Sequence, residues 1–250
     1  MRSTCRSRLV VPVLLALLWA CAGSAAAQWS VEIYTGSSST LPTTLELRQE
    51  GHPDTVITGV RYETRPWNHF ESLALLTENY YMVRAGYLTP LSPVQDTRLG
   101  VELEVLHDKA YYRSGHDPGG VVQHFELSDG VVYVLANASL VHPVARDDAF
   151  PRGRVQVVGR VGAGPVITKP ASTIRGEGLG HDIHGTWTGY EVAGFGGQAA
   201  AQVRVFLTPW LTTGMETKFS YADVTQRIAG GTSRTTLPSV HLTFGLGVVH

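Results

Sequence analysis

Cysteine is nearly missing from this 250-residue chain: both copies, Cys5 and Cys21, lie in the first 21 residues. A protein that loses that segment has no disulfide and must be held together by other means. Long apolar runs are also missing. Beyond the first 27 residues no stretch approaches the 18 consecutive apolar residues of a spanning helix, so any membrane span must be built of strands. Excess positive charge is the third absence. With the three arginines of the first segment set aside, 17 Lys+Arg face 21 Asp+Glu, a formal charge of −4. Nothing in that balance points to nucleic acid as a partner.

The first 27 residues carry their own pattern. Arg2, Arg6 and Arg8 are followed by the apolar "LVVPVLLALLWACA" and the small-residue "GSAAA" ahead of Gln28. This is the layout of a secretory signal peptide cleaved after Ala27, leaving 28–250 as one domain. Lipid modification at Cys21 is a lesser alternative, disfavoured by the bulky Trp19 where a small residue is expected.

The mature chain is dominated by alternation with a period of two, the mark of strands with two unlike faces. In "LGVELEVLHDKAYY" (99–112), Leu99, Val101, Leu103 and Val105 oppose Gly100, Glu102 and Glu104. The same alternation recurs near 29–34, 81–87, 131–141, 154–161, 197–207, 211–221 and 239–250, which gives eight strands. An even number of strands, each near the 9–11 residues that cross a bilayer, fits a transmembrane barrel. The fold class expected is all-β: an eight-stranded antiparallel up-and-down transmembrane barrel with longer extracellular loops. The polar faces carry Glu32, Arg84, Glu102, Glu104, Arg154, Arg160, Arg204, Glu216 and Lys218 at mid-strand. In a membrane barrel these fill a narrow lumen, either as a plug of paired charges or as an ion path, and eight strands leave little room for water. A soluble lipocalin-type barrel would turn the faces the other way, and alternation does not distinguish inside from outside.

Connection lengths favour the membrane reading. Short turns are expected at 89–98, 143–151 and 208–210, on the periplasmic side. The longer, polar outer loops would be 37–79, 113–130, 169–187 and 225–235. The first outer loop should contain a hairpin, "TLELRQEGHPDTVITGVRYE". Trp29, Tyr80, Tyr81, Tyr87, Tyr111, Tyr112, Trp187, Tyr190, Trp210 and Tyr221 fall near strand ends and suit interfacial girdles. The last strand alternates like an outer-membrane assembly signal, although it ends in His250 rather than Phe or Trp.

Five stretches resemble a family of small outer-membrane barrels, OmpA/OmpW-like, that includes the rhizobial lipid A oxidase. They are "LELRQEG" (45–51), "YYMVRAGYL" (80–88), "LGVELEVLHDKAYY" (99–112), "HFELSDGVVYVLAN" (124–137) and "IAGGTSRTTLPSVHLTFGLGV" (228–248), in the family's order. The resemblance implies an eight-stranded barrel in the cell outer membrane. Function does not follow from fold. A surface barrel contacting lipopolysaccharide without an open pore is the first expectation, and a lipid A-modifying enzyme of oxidase type is the alternative. The His-x-Ser pattern of barrel lipid A deacylases does not occur.

Residues able to do chemistry collect at the expected outer rim. His107, Asp108 and Lys109 resemble the family's Thr-His-x-Lys motif, with Leu106 in place of threonine, and His124, Glu126 and Asp129 enter the next strand. For an enzyme, His107, Lys109 and Asp129 are the catalytic candidates, since His beside a carboxylate supplies a base or a metal ligand. Ordering of the rim explains the same residues without catalysis. In "GHDIHG" (180–185), His181, Asp182 and His184 are candidate ligands for a divalent ion. No cofactor is expected for the barrel itself; an enzyme would take a divalent metal. Rim arginines such as Arg113, Arg175 and Arg227 are placed to meet lipopolysaccharide phosphates. The partners expected are outer-membrane lipid and lipopolysaccharide and the outer-membrane assembly machinery, with the protein a monomer.

Overall fold

The computed structural model describes residues 28–64, 80–90, 97–117, 119–180 and 188–250. The expected signal peptide lies outside them. So do Trp187 and the candidate metal ligands His181, Asp182 and His184, as does the side chain of Asp129.

Eight antiparallel strands close a ring. They are β1 (Gln28–Thr40), β4 (Tyr81–Pro90), β5 (Arg98–His116), β6 (Val122–Asp147), β7 (Phe150–Thr168), β10 (Glu191–Phe206), β11 (Leu211–Ile228) and β13 (Ser239–Val249). Each pairs with the ring strand next in sequence, and β13 pairs with β1 to complete the closure. This is the up-and-down barrel that the alternation predicts, and each of the eight expected segments supplies one strand. Closure leaves the ring without an unpaired edge, a requirement for strands in lipid.

Five short strands sit at the outer end, within the expected outer loops. β2 (Thr43–Gln49) and β3 (Thr55–Glu63) form the expected hairpin of the first loop. β8 (Ala171–Ile174) and β9 (Glu177–Leu179) form a second, and β12 (Gly231–Thr236) folds back on β11. These pieces continue the wall. Above the ends of β13, β1 and β4, the ladder runs from β11 through β12, β2 and β3 to β5. Above β7, β8 extends it from β6. The expected loops 113–130 and 225–235 are thereby mostly strand. At the opposite end the turn expected over 143–151 narrows, because pairing continues to Asp147 and Phe150.

Both faces of the wall change character at one level. On β11, Met215, Phe219 and Tyr221 face outward and are exposed, while Glu216, Lys218 and Ser220 face inward and are buried. Further along, Asp223, Thr225 and Arg227 face outward, and Ala222, Val224 and Ile228 are buried inside. The lower part is therefore apolar outside and polar inside, as lipid requires. The upper part is polar outside and apolar inside, as water requires. Its core includes Leu45, Leu47, Ile57, Val60, Leu127, Ile174 and Val224. The soluble-barrel pattern weighed from sequence does occur, but only in the projecting half.

Candidate functional site

The lumen is layered. At mid-membrane, Glu32, Glu102, Glu104 and Glu216 meet Arg84, Arg160, Arg204 and Lys218, four charges of each sign, all at most 5% exposed. Arg84 reaches Glu32 at 2.7 Å, Glu104 at 2.8 Å and Glu216 at 2.9 Å. Arg160 bonds Glu102 at 2.6 Å and Glu216 at 2.9 Å. Arg204 pairs with Glu32, and Lys218 with Glu104. Asn137 and Gln198 each donate to Glu104 at 3.0 Å. Below this layer lies a small apolar cluster of Leu88, Val141 and Val158. Above it lies the large upper core. The interior thus holds a neutral ionic layer between two apolar ones, and the expected plug, not the ion path, is what the side chains build. Arg154 departs from expectation. It shares the inward parity but sits at the lower end, exposed, with its guanidinium 5.1 Å from the centre of the Phe150 ring.

Between the ionic layer and the upper core, Tyr80 bonds His241 Nδ1 at 2.9 Å, and His241 Nε2 meets Ser220 Oγ at 2.7 Å. Tyr80 therefore points inward, against its expected place in a girdle. Trp29, Trp210 and Tyr221 do face outward and are exposed, the first two near the lower end and Tyr221 near the upper.

The rim candidates face a β-bulge. The β5–β6 register shifts between Asp108 and Ala110, where Lys109 alone stands opposite Ser128, Asp129 and Gly130, so the two extra residues lie on β6. Bulges re-aim side chains and recur beside functional sites. His107 is buried with its ring stacked on Tyr81, centroids 4.9 Å apart and planes 4° from parallel. Across from it, Gly130 holds φ 126°, and a Cβ there would lie 2.3 Å from His107 Nε2. Asp108 turns inward, accepting from Ser38 Oγ at 2.6 Å and from the Lys109 N–H at 2.8 Å. It lies three residues beyond Val105, the last outward apolar residue of β5, and so above the lipid-facing band. Burial pushes its carboxyl up to about 6. His107 and Lys109 thus lie on either side of Asp108 on β5, and the backbone of Asp129 and Gly130 belongs to the bulge of the facing strand. His124 and Glu126 lie 3.4 Å apart further out. Among the described residues, no three His, Cys, Asp or Glu side chains are grouped so as to hold a metal.

The rim arginines are engaged with protein groups. Arg113 pairs with Glu63, and Arg227 with Glu191 at 2.6 Å. Arg175 occupies the left-handed region, with φ 52°, at the β8–β9 turn. From there it donates to Gln49 at 2.9 Å and Thr55 at 2.7 Å, while Gln49 bonds Glu177 at 2.9 Å. The two hairpin tips are clasped across the outer mouth. Sequence reading missed this clasp, the Ser38–Asp108 bond and a concavity on the outer wall of about 480 Å³, lined by Glu46, Arg48, Phe195, Asp223 and Arg234 among others. Each joins residues far apart in sequence, and only parity within each strand hinted at a shared face.

No family model matches the sequence, and no curated protein matches it. Among solved structures, the fold is similar to that of the outer membrane protein OprG from Pseudomonas aeruginosa, with TM-score 0.41 and 9% identity over 90% of this chain and 96% of that one. It is also similar to Ail, the attachment invasion locus protein of Yersinia pestis, with TM-score 0.37 and 9% identity over 91% of this chain and all of that one. The outer membrane protein AlkL, solved in lipid bilayers, gives TM-score 0.39 and 11% identity over all of this chain and 96% of that one. The membrane assignment rests on this chain's own wall, a closed ring with an apolar outer band. Such barrels reside in outer membranes.

Proposed function

We propose that the protein is a closed, non-conducting barrel at the cell surface whose outer end stands against lipopolysaccharide. The observation that carries this reading is the coincident change of both faces. Where the outer band turns from apolar to charged, the interior turns from ionic to apolar, so a folded collar projects past the bilayer. Its flank then lies beside the headgroups of the outer leaflet, and the filled interior leaves no continuous water path. The test joins two measurements on the full chain: conductance in planar bilayers, and co-purification of lipopolysaccharide with the folded barrel. Absence of channel steps together with bound lipopolysaccharide is the expected result. Steady channel conductance would overturn the closed lumen, and a lipid-free barrel would overturn the contact.

A second reading, a lipid A-modifying enzyme, is favoured by one observation. His107, Asp108 and Lys109 face the β6 bulge at the upper edge of the apolar band, the level at which a lipid A sugar sits. In this reading His107 would act as base, with Lys109 and the backbone position of Asp129 nearby, a divalent metal would be held from outside the described residues, and dioxygen would take up the electrons removed from the sugar. Mass spectrometry of lipid A from cells expressing the wild type or His107→Ala separates the two readings. A mass change that the variant abolishes establishes the enzyme; identical spectra in both, with the barrel folded, remove it for that lipid A.

A further inference from the structure

The outer wall carries a concavity where β10, β11, β12 and β2 meet, and its construction is local. The β10–β7 register shifts between Val192 and Gly194, so a bulge bends β10 at Ala193. Gly194 lets β11 approach: a Cβ there would stand 1.9 Å from the Asp223 carbonyl oxygen. The hollow that results has a volume of about 480 Å³, within the size range of small-molecule sites.

Its lining is graded along the membrane normal. Phe195 lies toward the apolar band and is 64% exposed. Above it, cross-strand partners place Thr225, Arg234 and Glu46 in one outward row, and Thr232 and Arg48 in the next. Arg234 is held by Asp223 through two bonds, Nε at 3.0 Å and Nη2 at 2.6 Å. The Arg48 guanidinium is open to solvent, with Asp54 at 3.6 Å. The hollow thus combines an exposed aromatic ring, two arginines and two carboxylates, just above the level of Tyr221.

We propose that this hollow seats the phosphorylated sugar headgroup of an outer-leaflet glycolipid, with Arg48 and Arg234 toward the phosphate and Phe195 against the sugar or the start of its acyl chains. The proposal rests on the lipopolysaccharide contact proposed above and assigns that contact its residues. The mixed lining argues for a phosphosugar over a simple anionic phospholipid. Glu46 and Asp223 repel a bare phosphate but accept from sugar hydroxyls, while arginine forks match phosphate oxygens.

The test uses the full-length barrel in phosphatidylcholine nanodiscs, with rough lipopolysaccharide as probe and phosphatidylglycerol vesicles as competitor. Variants Arg48→Ala and Phe195→Ala probe the hollow, and Arg61→Ala, on β3 outside it, serves as control. All three side chains are exposed, and the heat-dependent gel shift of a folded barrel verifies each variant. Loss of a charge-assisted bond predicts roughly tenfold weaker binding for Arg48→Ala. Phe195→Ala should weaken binding similarly, Arg61→Ala should stay within about twofold, and phosphatidylglycerol should not displace the probe. Binding unchanged in both hollow variants, an equal loss in Arg61→Ala, or displacement by phosphatidylglycerol overturns this site while leaving the broader contact standing. Wild-type protein that fails to bind the probe overturns both.

Discussion

Replacing Arg84 by methionine tests whether the barrel interior is a dry ionic plug. Arg84 is 1% exposed and lies within 3.5 Å of four carboxylates, those of Glu32, Glu102, Glu104 and Glu216. Methionine fills much of the volume but leaves four acids facing three cations, an excess negative charge with no water to solvate it. Breaking a buried ionic cluster at one partner costs about 3–5 kcal/mol, because the remaining charge loses its compensation. Adding Glu216→Gln restores neutrality and should recover part of that loss, with a coupling of about 0.5–3 kcal/mol for groups in one network. The assay is urea unfolding of the barrel in lipid vesicles, followed by tryptophan fluorescence and by the gel shift of the folded form. Trp29 and Trp210, both near the lower end, report closure of the ring. A loss of under about 1 kcal/mol for Arg84→Met, or a double variant no better than the single, would refute the dry plug. It would mean that water reaches the charges.

Three smaller predictions concern the collar. The Asp108 carboxyl titrates near 6 in the folded protein and near 3.8 in the unfolded chain, so the folded state holds its proton longer. Stability should therefore be greatest below about pH 4, fall as pH rises from about 4 to about 6, and stay level above that. Asp108→Asn should flatten this dependence in urea titrations across the same range; an unchanged slope would assign it to another group. Gly130→Ala should cost about 1–3 kcal/mol, since φ 126° and the His107 ring both oppose a Cβ, whereas Gly120→Ala, with open space around it, should cost about 1 kcal/mol or less. Equal urea midpoints for the two variants would contradict the packing of Gly130 on His107. Arg175→Asn keeps a residue suited to the left-handed turn but removes the clasp. Hydrogen exchange at Thr55 and Glu177 should speed up while that of the ring strands stays unchanged, and no change at those two sites would mean that the tips close without Arg175.

The eight ring strands could be read from sequence because lipid and lumen impose opposite demands on successive residues. In β5, Val101 and Leu103 against Glu102 and Glu104 leave only two orientations, and a closed ring with paired charges selects one. The hairpin at 44–63 was equally legible from its turn residues. The layered interior was not. Ala222, Val224 and Ile228 share parity with Glu216 and Lys218, so the strand changes solvent without a break in period. Periodicity reports that two faces differ and is silent on which solvent each face meets. Arg154 shows the same blindness: its parity is inward, but the lumen ends before its position. The rim candidates were located by type and by resemblance. Asp108 keeps the inward parity of Glu102 and Glu104, but that His107 stacks on Tyr81 depends on the β4–β5 register, and that Gly130 abuts its ring depends on a two-residue bulge in β6; a period-two pattern within one strand reveals neither.

The two halves of the wall also need different sources of stability. Against lipid, outward valines and leucines gain little by folding, because the acyl chains are as apolar as any core. Specificity in that half must come from backbone pairing and from the lumen, where eight charges fit together in only a few ways. The collar meets water, so burying Leu45, Leu47, Ile57 and Val60 there is favourable by about 25 cal/mol for each Å² of apolar surface removed. Strand register is shared between the halves, since β5, β6 and β11 run through both. A slip by one residue would put the charges of the lower half into lipid and the core of the upper half into water at once. Each half thus penalises the other's misregister, and the boundary between them, where the bulges of β6 and β10 lie, is the level at which the wall can bend without disturbing either pattern.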